Sequence, residues 1–500
     1  MNRSDLFALD RRALMLAGLC AAATGRAQAR QAEDPGGFAD VASLSSTVTG
    51  EGVFGGAPVS YSASVAATQI PNPAGGAPGA MVSIAYVRTD VADAARRPVL
   101  FLFNGGPGAS TTPLHFSGLG PFTRFTPPGD DKAQLAPNRL CPLDYVDLVF
   151  VDPIGTGFSR PTDRASGKGF WTMDGDAESV ARFIELWLKA NGRERSPIYI
   201  CGESYGTARA ALMLRARPQN PYAGVILISP VINATAMTVT PGNDLAFVFW
   251  LPSMAAVAAY HGRAGVKGAA VSAHFLEAAR FAGGDYARAL FQGADLPADQ
   301  ARVVARRLAA LTGLPAKEIL AQSLRIDPDV FMRRLLADQG LRTGRLDGRV
   351  TGRLDAPPRP PPYNDPSLSP GGDSGPAIED YFRRRLGVST KAAYKRLALD
   401  FRDVWVMAYP ESLKDGYSDV SQFLGAALRA SPHCRLLVVG GYFDLATPIF
   451  AREHALSHAG APRGQVQTRM YAAGHAVLEE PAALASFAAD LKAMITETQA

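Results

Sequence analysis

A chain of 500 residues, 47% hydrophobic and 19% charged, has the composition of a folded globular protein, which excludes disorder, collagen-like repeats and coiled coil. Its length predicts one large domain with a sizeable insertion, or two domains. The formal net charge of +5 is not gathered into a basic block interleaved with aromatics, so nucleic acid is not an expected partner.

At the start, Arg11-Arg12, an apolar run from Ala13 to Ala23 and Ala27-Gln28-Ala29 make a charged segment, a short apolar segment and an A-x-A site. This predicts an export signal over residues 1–29, too short to span a bilayer. The paired arginines point to the bacterial twin-arginine route, hence to a periplasmic or secreted protein; they also fit the positive region of an ordinary secretory signal. Leu19 is too bulky to precede a lipidated cysteine, which argues against an anchor at Cys20. No later apolar run approaches the ~20 residues of a membrane helix, so no integral membrane segment is expected. With Cys20 lost in the signal, Cys141, Cys201 and Cys434 allow at most one disulfide.

Residues 35–90 read as turns and alternating strands, clearest in "VSYSASVAATQI" (59–70) and "AMVSIAYVRT" (80–89). Then come continuous apolar runs: "RPVLFLFNGG" (97–106), "VDLVFVDPIGTG" (146–157), "SPIYICGESYG" (196–206), "GVILISPVIN" (224–233) and "CRLLVVGGYFD" (434–444). Such runs predict strands of a parallel sheet buried on both faces, with active-site loops at their C-terminal ends. A helix is expected over 174–190, with Val180, Phe183, Ile184, Trp187 and Leu188 on one face and Asp174 and Asp176 at its start. The last helix begins at Pro481 and buries Leu484, Phe487, Leu491, Met494 and Ile495.

Between Asn233 and about Ser431 this rhythm stops. Segments 297–312 and 327–337 have helical periodicity, and 356–376 is a Pro/Gly-rich surface connector. The duplicated "TGRLD" at 343 and 351 is too short to indicate a repeat fold. The expected organisation is an export signal (1–29), the first part of a sheet domain (30–233), a helical cap inserted into it (234–431) and the second part of the sheet domain (432–500).

Gly202-Glu203-Ser204-Tyr205-Gly206 has the form G-x-S-x-G between a predicted strand (Ile198 to Cys201) and a predicted helix (Thr207 to Arg217). That is the setting of a nucleophile elbow, whose glycines let the chain turn sharply enough to expose the serine hydroxyl. Asp444 follows one late strand, and His475 in "MYAAGHAVLEEP" follows the next. The order Ser204, Asp444, His475 is the one in which an α/β-hydrolase assembles its triad. The other histidines, His115, His261, His274, His433, His454 and His458, are expected in structural or surface positions. In "LFNGGPGAS" (102–110) the backbone N–H of Gly106 would join that of Tyr205 in an oxyanion hole. "GGDSGP" (371–376) resembles the serine loop of chymotrypsin-like proteases but lies in the Pro-rich connector. Neither H-E-x-x-H nor C-x-x-C occurs, so no metal and no cofactor is expected.

Together "FNGGPGAS", "VFVDPIGTGFSR", "ICGESYGTARA", "VGGYFD" and "AAGHAVLEEP" resemble the serine carboxypeptidase family, over about 97–233 and 434–482. The resemblance implies an α/β-hydrolase fold, an acyl-enzyme mechanism and peptide substrates with a free C-terminus. It further implies that Asn104, Gly105 and Glu203 hold the substrate's terminal carboxylate. Two carboxyl groups can share a hydrogen bond only if one is protonated, so an acidic optimum is expected. The chain departs from the family at Gly118, where a second acid belongs, at Phe103 in place of tryptophan and at Ala109 in place of cysteine. His115 and Arg209 are candidates to compensate for the missing acid. An esterase or acyltransferase using the same triad is the alternative.

Overall fold

The computed structural model describes residues 37–497 apart from 131, 266–268, 358–364, 369–373 and 416–417. The expected export signal (1–29) and much of the connector 356–376 lie outside the described residues.

Strands β1 (Ser45–Phe54), β2 (Ala57–Ile70) and β3 (Gly79–Arg88) form an antiparallel meander. They are followed by β4 (Val99–Phe103), the hairpin of β5 (Phe122–Phe125) and β6 (Gln134–Pro137), then β7 (Asp147–Val151), β8 (Arg160–Pro161), β9 (Ile198–Glu203) and β10 (Tyr222–Ile228). A long insertion carries the hairpin of β11 (Leu341–Thr343) and β12 (Thr351–Arg353). Beyond it come β13 (Arg435–Gly441) and β14 (Val466–Tyr471). The main sheet runs β1-β2-β3-β7-β4-β9-β10-β13-β14, with β8 beside β3. From β7 to β14 every neighbour is parallel, so this is the mostly parallel sheet of an α/β-hydrolase.

The apolar runs make such a sheet because alternate residues feed two different cores. Val99, Phe101, Phe103, Ile200, Leu227 and Val438 join one cluster; Leu100, Leu102, Cys201, Ile226 and Val439 join the other. Helix Met173–Ala190 covers the first face. Thr172 caps it by accepting the Gly175 N–H at 2.9 Å, and Val180, Phe183, Ile184, Trp187 and Leu188 are buried at the predicted spacing. Each such burial contributes about 1.5–3 kcal/mol. Helix Pro481–Glu497 covers the second face with Leu484, Phe487, Leu491, Met494 and Ile495.

Between β10 and β13 lie helices Leu245–Tyr260, Val271–Phe281, Ala298–Thr312 and Pro328–Arg334. The first of these is apolar all round and buried from Ala246 to Ala258, as a helix inside a core must be. No helix among the described residues is long and apolar enough to cross a membrane.

Candidate active site

Ser204 stands where β9 hands over to helix Tyr205–Ala216, with φ 57° and ψ −129°. This helix begins at Tyr205, two residues earlier than its periodicity predicts, because Ser204 is itself the residue at which the chain reverses. A Cβ at Gly202 would collide with the Gly206 carbonyl, so only glycine permits so tight a turn. The Ser204 N–H donates to Ile228 O at 2.9 Å, and the next residue along β10, Ser229, donates its N–H to Val439 O at 2.8 Å. The elbow is thus sewn across β10 to β13.

The acid and base loops are joined in the same way. Past the strand ends, Tyr442 N–H bonds Tyr471 O and Phe443 N–H bonds Ala473 O, both at 3.0 Å. This brings Asp444 Oδ2 to 2.8 Å from His475 Nδ1. Asp444 Oδ1 accepts from the Ala446 and Thr447 N–H groups at 2.7 and 3.0 Å, and Thr447 Oγ1 donates to Oδ2 at 2.6 Å. Asp444 is fully buried and His475 7% exposed. Burial opposes a charged imidazolium, but the Asp444 charge and hydrogen bond, with Glu203 nearby, outweigh it and raise the His475 pKa above its ordinary value, while Arg345 pulls it down. The Ser204 hydroxyl makes no hydrogen bond to the imidazole; of the expected triad, the structure joins Asp444 to His475 and leaves the serine open.

The loop after β4 packs directly on the elbow. A Cβ at Gly105 would collide with the backbone nitrogen of Tyr205. Gly106 has φ 102°, and its N–H has no partner among the described residues. Asn104 is 2% exposed; its Oδ1 accepts the Leu114 N–H at 3.2 Å. Glu203 is 8% exposed, and burial raises its carboxyl to about 7, with the Glu479 charge pushing the same way and His475, the Asn104 amide and Arg124 opposing. Glu479, four residues beyond His475, is paired with Arg124 and accepts from Ser117 Oγ at 3.4 Å.

Two sequence expectations need correcting. Arg209 does not offer a free charge: it is buried against Asp176 at 2.7 Å and donates to Asn104 O at 2.5 Å. His115 does not face the elbow: it stacks between Phe116 and Phe150 at 4.0 and 4.3 Å, bonds Tyr86 OH through Nε2 at 2.7 Å, and burial pulls its pKa down to about 3. Both are structural: the enclosed Arg209 guanidinium is satisfied by Asp176 and the Asn104 carbonyl, and His115, in the structural position expected of the other histidines, is enclosed among aromatic rings with its Nδ1 unpartnered among the described residues. Gly118 has φ 139° and a Cβ there would meet the Leu484 side chain, so an acid at this position would be strained and crowded.

Three residues that sequence reasoning missed complete the surroundings. Asp176 binds both Tyr205 OH (3.1 Å) and Arg209, tying the predicted helix 174–190 to the elbow. Thr447 braces Asp444, a link that the D-x-x-T spacing in "DLAT" foreshadows, since an Asp caps the N–H three residues on. Ser229 donates to the His475 carbonyl at 2.6 Å, for which the sequence carries no signal. Of the decoy 371–376, residues 371–373 lie outside the described set, and Ser374 Oγ accepts from Arg396 at 3.3 Å. Cys141, Cys201 and Cys434 are free, buried thiols. Among the described residues no group of His, Cys, Asp and Glu is arranged to hold a metal ion.

Residues 85–212 match the serine carboxypeptidase family model, so the resemblance read from the motifs holds over that stretch. Among curated proteins, the pheromone-processing carboxypeptidase KEX1 of Yarrowia lipolytica is 31% identical over 112 residues, 22% of this chain and 17% of that one. Serine carboxypeptidase-like 36 of Arabidopsis thaliana is 34% identical over 116 residues, 22% of each chain. The match therefore spans about a fifth of the length of these relatives. Among solved structures, the prohormone-processing carboxypeptidase Kex1(delta)p of Saccharomyces cerevisiae aligns over 87% of this chain and 91% of its own at 13% identity, with a TM-score of 0.47.

Proposed function

We propose, from the premise that residues 85–212 are a serine carboxypeptidase region, that this protein removes C-terminal residues from peptides by a serine mechanism. Ser204 attacks the scissile carbonyl once substrate closes the serine–imidazole pair. His475 takes the proton and returns it to the leaving amine, and Asp444 orients the ring and stabilises its charged form. The N–H groups of Gly106 and Tyr205, both unpaired among the described residues, stabilise the oxyanion. Asn104, Gly105 and Glu203 receive the terminal carboxylate. Export by the route read from residues 1–29 belongs to the same proposal.

The observation that carries this reading is Glu203. A carboxyl buried beside the nucleophile and raised to about 7 is protonated on the acidic side of neutrality and can donate to another carboxylate. A simple ester presents no carboxylate for such a group to bind. The second reading, an esterase or acyltransferase, is favoured by Gly118, which lacks the family's other acid.

The test compares kcat/KM from pH 4 to 8 on a blocked dipeptide with a free C-terminus, its amide and a matching simple ester, for wild type and Glu203→Gln. Preference for the free acid below pH 7 that loses its pH dependence in Glu203→Gln supports the carboxypeptidase. Equal cleavage of acid, amide and ester at every pH makes the protein an esterase or acyltransferase.

A further inference from the structure

The pentapeptide Thr-Gly-Arg-Leu-Asp occurs at 343–347 and again at 351–355, and the two copies keep different company. They emerge from the antiparallel pairing of β11 with β12, where Thr343 faces Thr351. In the second copy Arg353 grips Asp355 through bonds of 2.9 and 2.7 Å on the exposed surface. In the first copy the equivalent acid is taken. Arg349 holds Asp347 through Nε and Nη2 at 3.0 and 2.7 Å and reaches on to Glu480 at 3.0 Å. Arg345 is left with a guanidinium that meets no carboxylate or other acceptor among the described residues.

The backbone fixes where that charge stands. Arg345 O accepts the Leu445 N–H at 3.0 Å, Leu346 O accepts the His475 N–H at 2.6 Å, and Gly348 N–H donates to Phe443 O at 2.9 Å. From the other side, Asp365 holds the Arg345 N–H at 3.0 Å, Ser367 Oγ holds the Leu346 N–H at 3.0 Å, and His261 bonds Gly348 O at 2.8 Å. Residues 345–349 are therefore a strap laid across the loops of Asp444 and His475. Arg345 is half-buried in it, and its positive charge is felt at the imidazole. A half-buried guanidinium without a counter-ion among the described residues, five donors in a rigid fork, is suited to a carboxylate.

We propose that Arg345 is a substrate-binding residue that takes a carboxylate of the peptide beside His475, supplying recognition that Gly118 cannot. This rests on the carboxypeptidase reading. The carboxylate belongs either to the free C-terminus or to an acidic side chain next to the scissile bond; a bidentate guanidinium suits both. Because arginine stays charged at every relevant pH, this contact persists where Glu203 has ionised.

The experiment uses the purified chain at pH 7 and four substrates. They are a neutral blocked dipeptide with a free C-terminus, its amide, an amide with Glu beside the scissile bond, and a simple ester. Arg345→Gln raises KM for the carboxylate-bearing substrates about ten- to hundredfold and leaves the KM of the ester unchanged; kcat falls on all four, the ester included, only by the common factor with which His475, relieved of the Arg345 charge, holds its proton at pH 7. Arg345→Lys recovers part of the loss, and Arg353→Gln, in the paired copy, changes nothing. Loss confined to the free acid identifies the C-terminus; loss confined to the Glu substrate identifies the side chain. Arg345→Gln that leaves all four unchanged, or lowers all four alike, overturns the proposal. If wild type and Arg345→Gln prefer free acid over amide equally, and the Glu substrate is also unaffected, Arg345 is excluded while the carboxypeptidase reading survives. A wild type blind to the terminal carboxylate sinks that reading instead, and Arg345 then stands only on the Glu substrate.

Discussion

Ser229 donates its hydroxyl to the main-chain carbonyl of His475 at 2.6 Å. It does so from φ 49°, a left-handed conformation that costs a non-glycine residue roughly 1–2 kcal/mol. Three bonds hold it there: its N–H to Val439 O, its Oγ to His475, and its carbonyl accepting from Thr447 Oγ1 at 3.2 Å. One strained residue at the end of β10 thus ties the acid loop and the base loop to the sheet, as strain at functional sites generally requires.

Ser229→Ala removes one of these bonds while leaving the His475 carbonyl its second donor, Val477 N–H at 3.0 Å. Stability falls by about 1 kcal/mol. The labelling rate of Ser204 by a fluorophosphonate and kcat on the ester fall by about tenfold, a fraction of the roughly 10²–10⁴-fold that a positioned general base contributes, with KM unchanged. A variant labelled as fast as wild type would show that His475 is positioned without Ser229.

The pH profile depends on the substrate. His475 must be neutral to accept a proton, so kcat/KM on a simple ester rises with pH through its raised pKa and then stays level. For a peptide with a free C-terminus the rate also falls again as pH passes the value of about 7 at which Glu203 ionises, giving a bell. Glu203→Gln removes the alkaline limb. It also shifts the acidic limb to lower pH, because the Glu203 charge is one of the causes that raise His475. The two limbs are coupled and belong to the pair. An alkaline limb that survives in Glu203→Gln assigns that ionisation elsewhere.

Installing the family's acid by Gly118→Asp will not restore a second carboxylate. The φ of 139° and the contact with Leu484 make it an overpacked, strained substitution costing about 1–3 kcal/mol. Thermal unfolding should show that loss, with free-acid preference unchanged. A stable variant with stronger preference would mean that position 118 opens towards substrate.

Arg209→Leu strands Asp176 in the core, which costs about 3–5 kcal/mol. Replacing both residues by leucine recovers most of it, since neither charge is then buried alone. Urea unfolding of the single and double variants decides this. A single variant as stable as wild type would show that the pair does not hold the elbow helix to its neighbour.

The places of Ser204, Asp444 and His475 after parallel strands β9, β13 and β14 were legible in one dimension. So were the two-faced burial of those strands and the apolar stripes of helices Met173–Ala190 and Pro481–Glu497. These features rest on local patterning: period two, period 3.6, and glycines where the chain must turn. Glu203 beside the nucleophile was legible too, but its raised pKa comes from burial, which neighbours in sequence do not dictate. Tertiary structure alone decided that Arg209 and His115 are enclosed, that Leu484 lies against Gly118, that Ser229 reaches His475, and that, among the described residues, one copy of a repeated pentapeptide pairs its arginine while the other does not. Each of these turns on which distant groups share a volume, because charge pairing, steric exclusion and desolvation act through space over a few ångströms, whatever the separation along the chain.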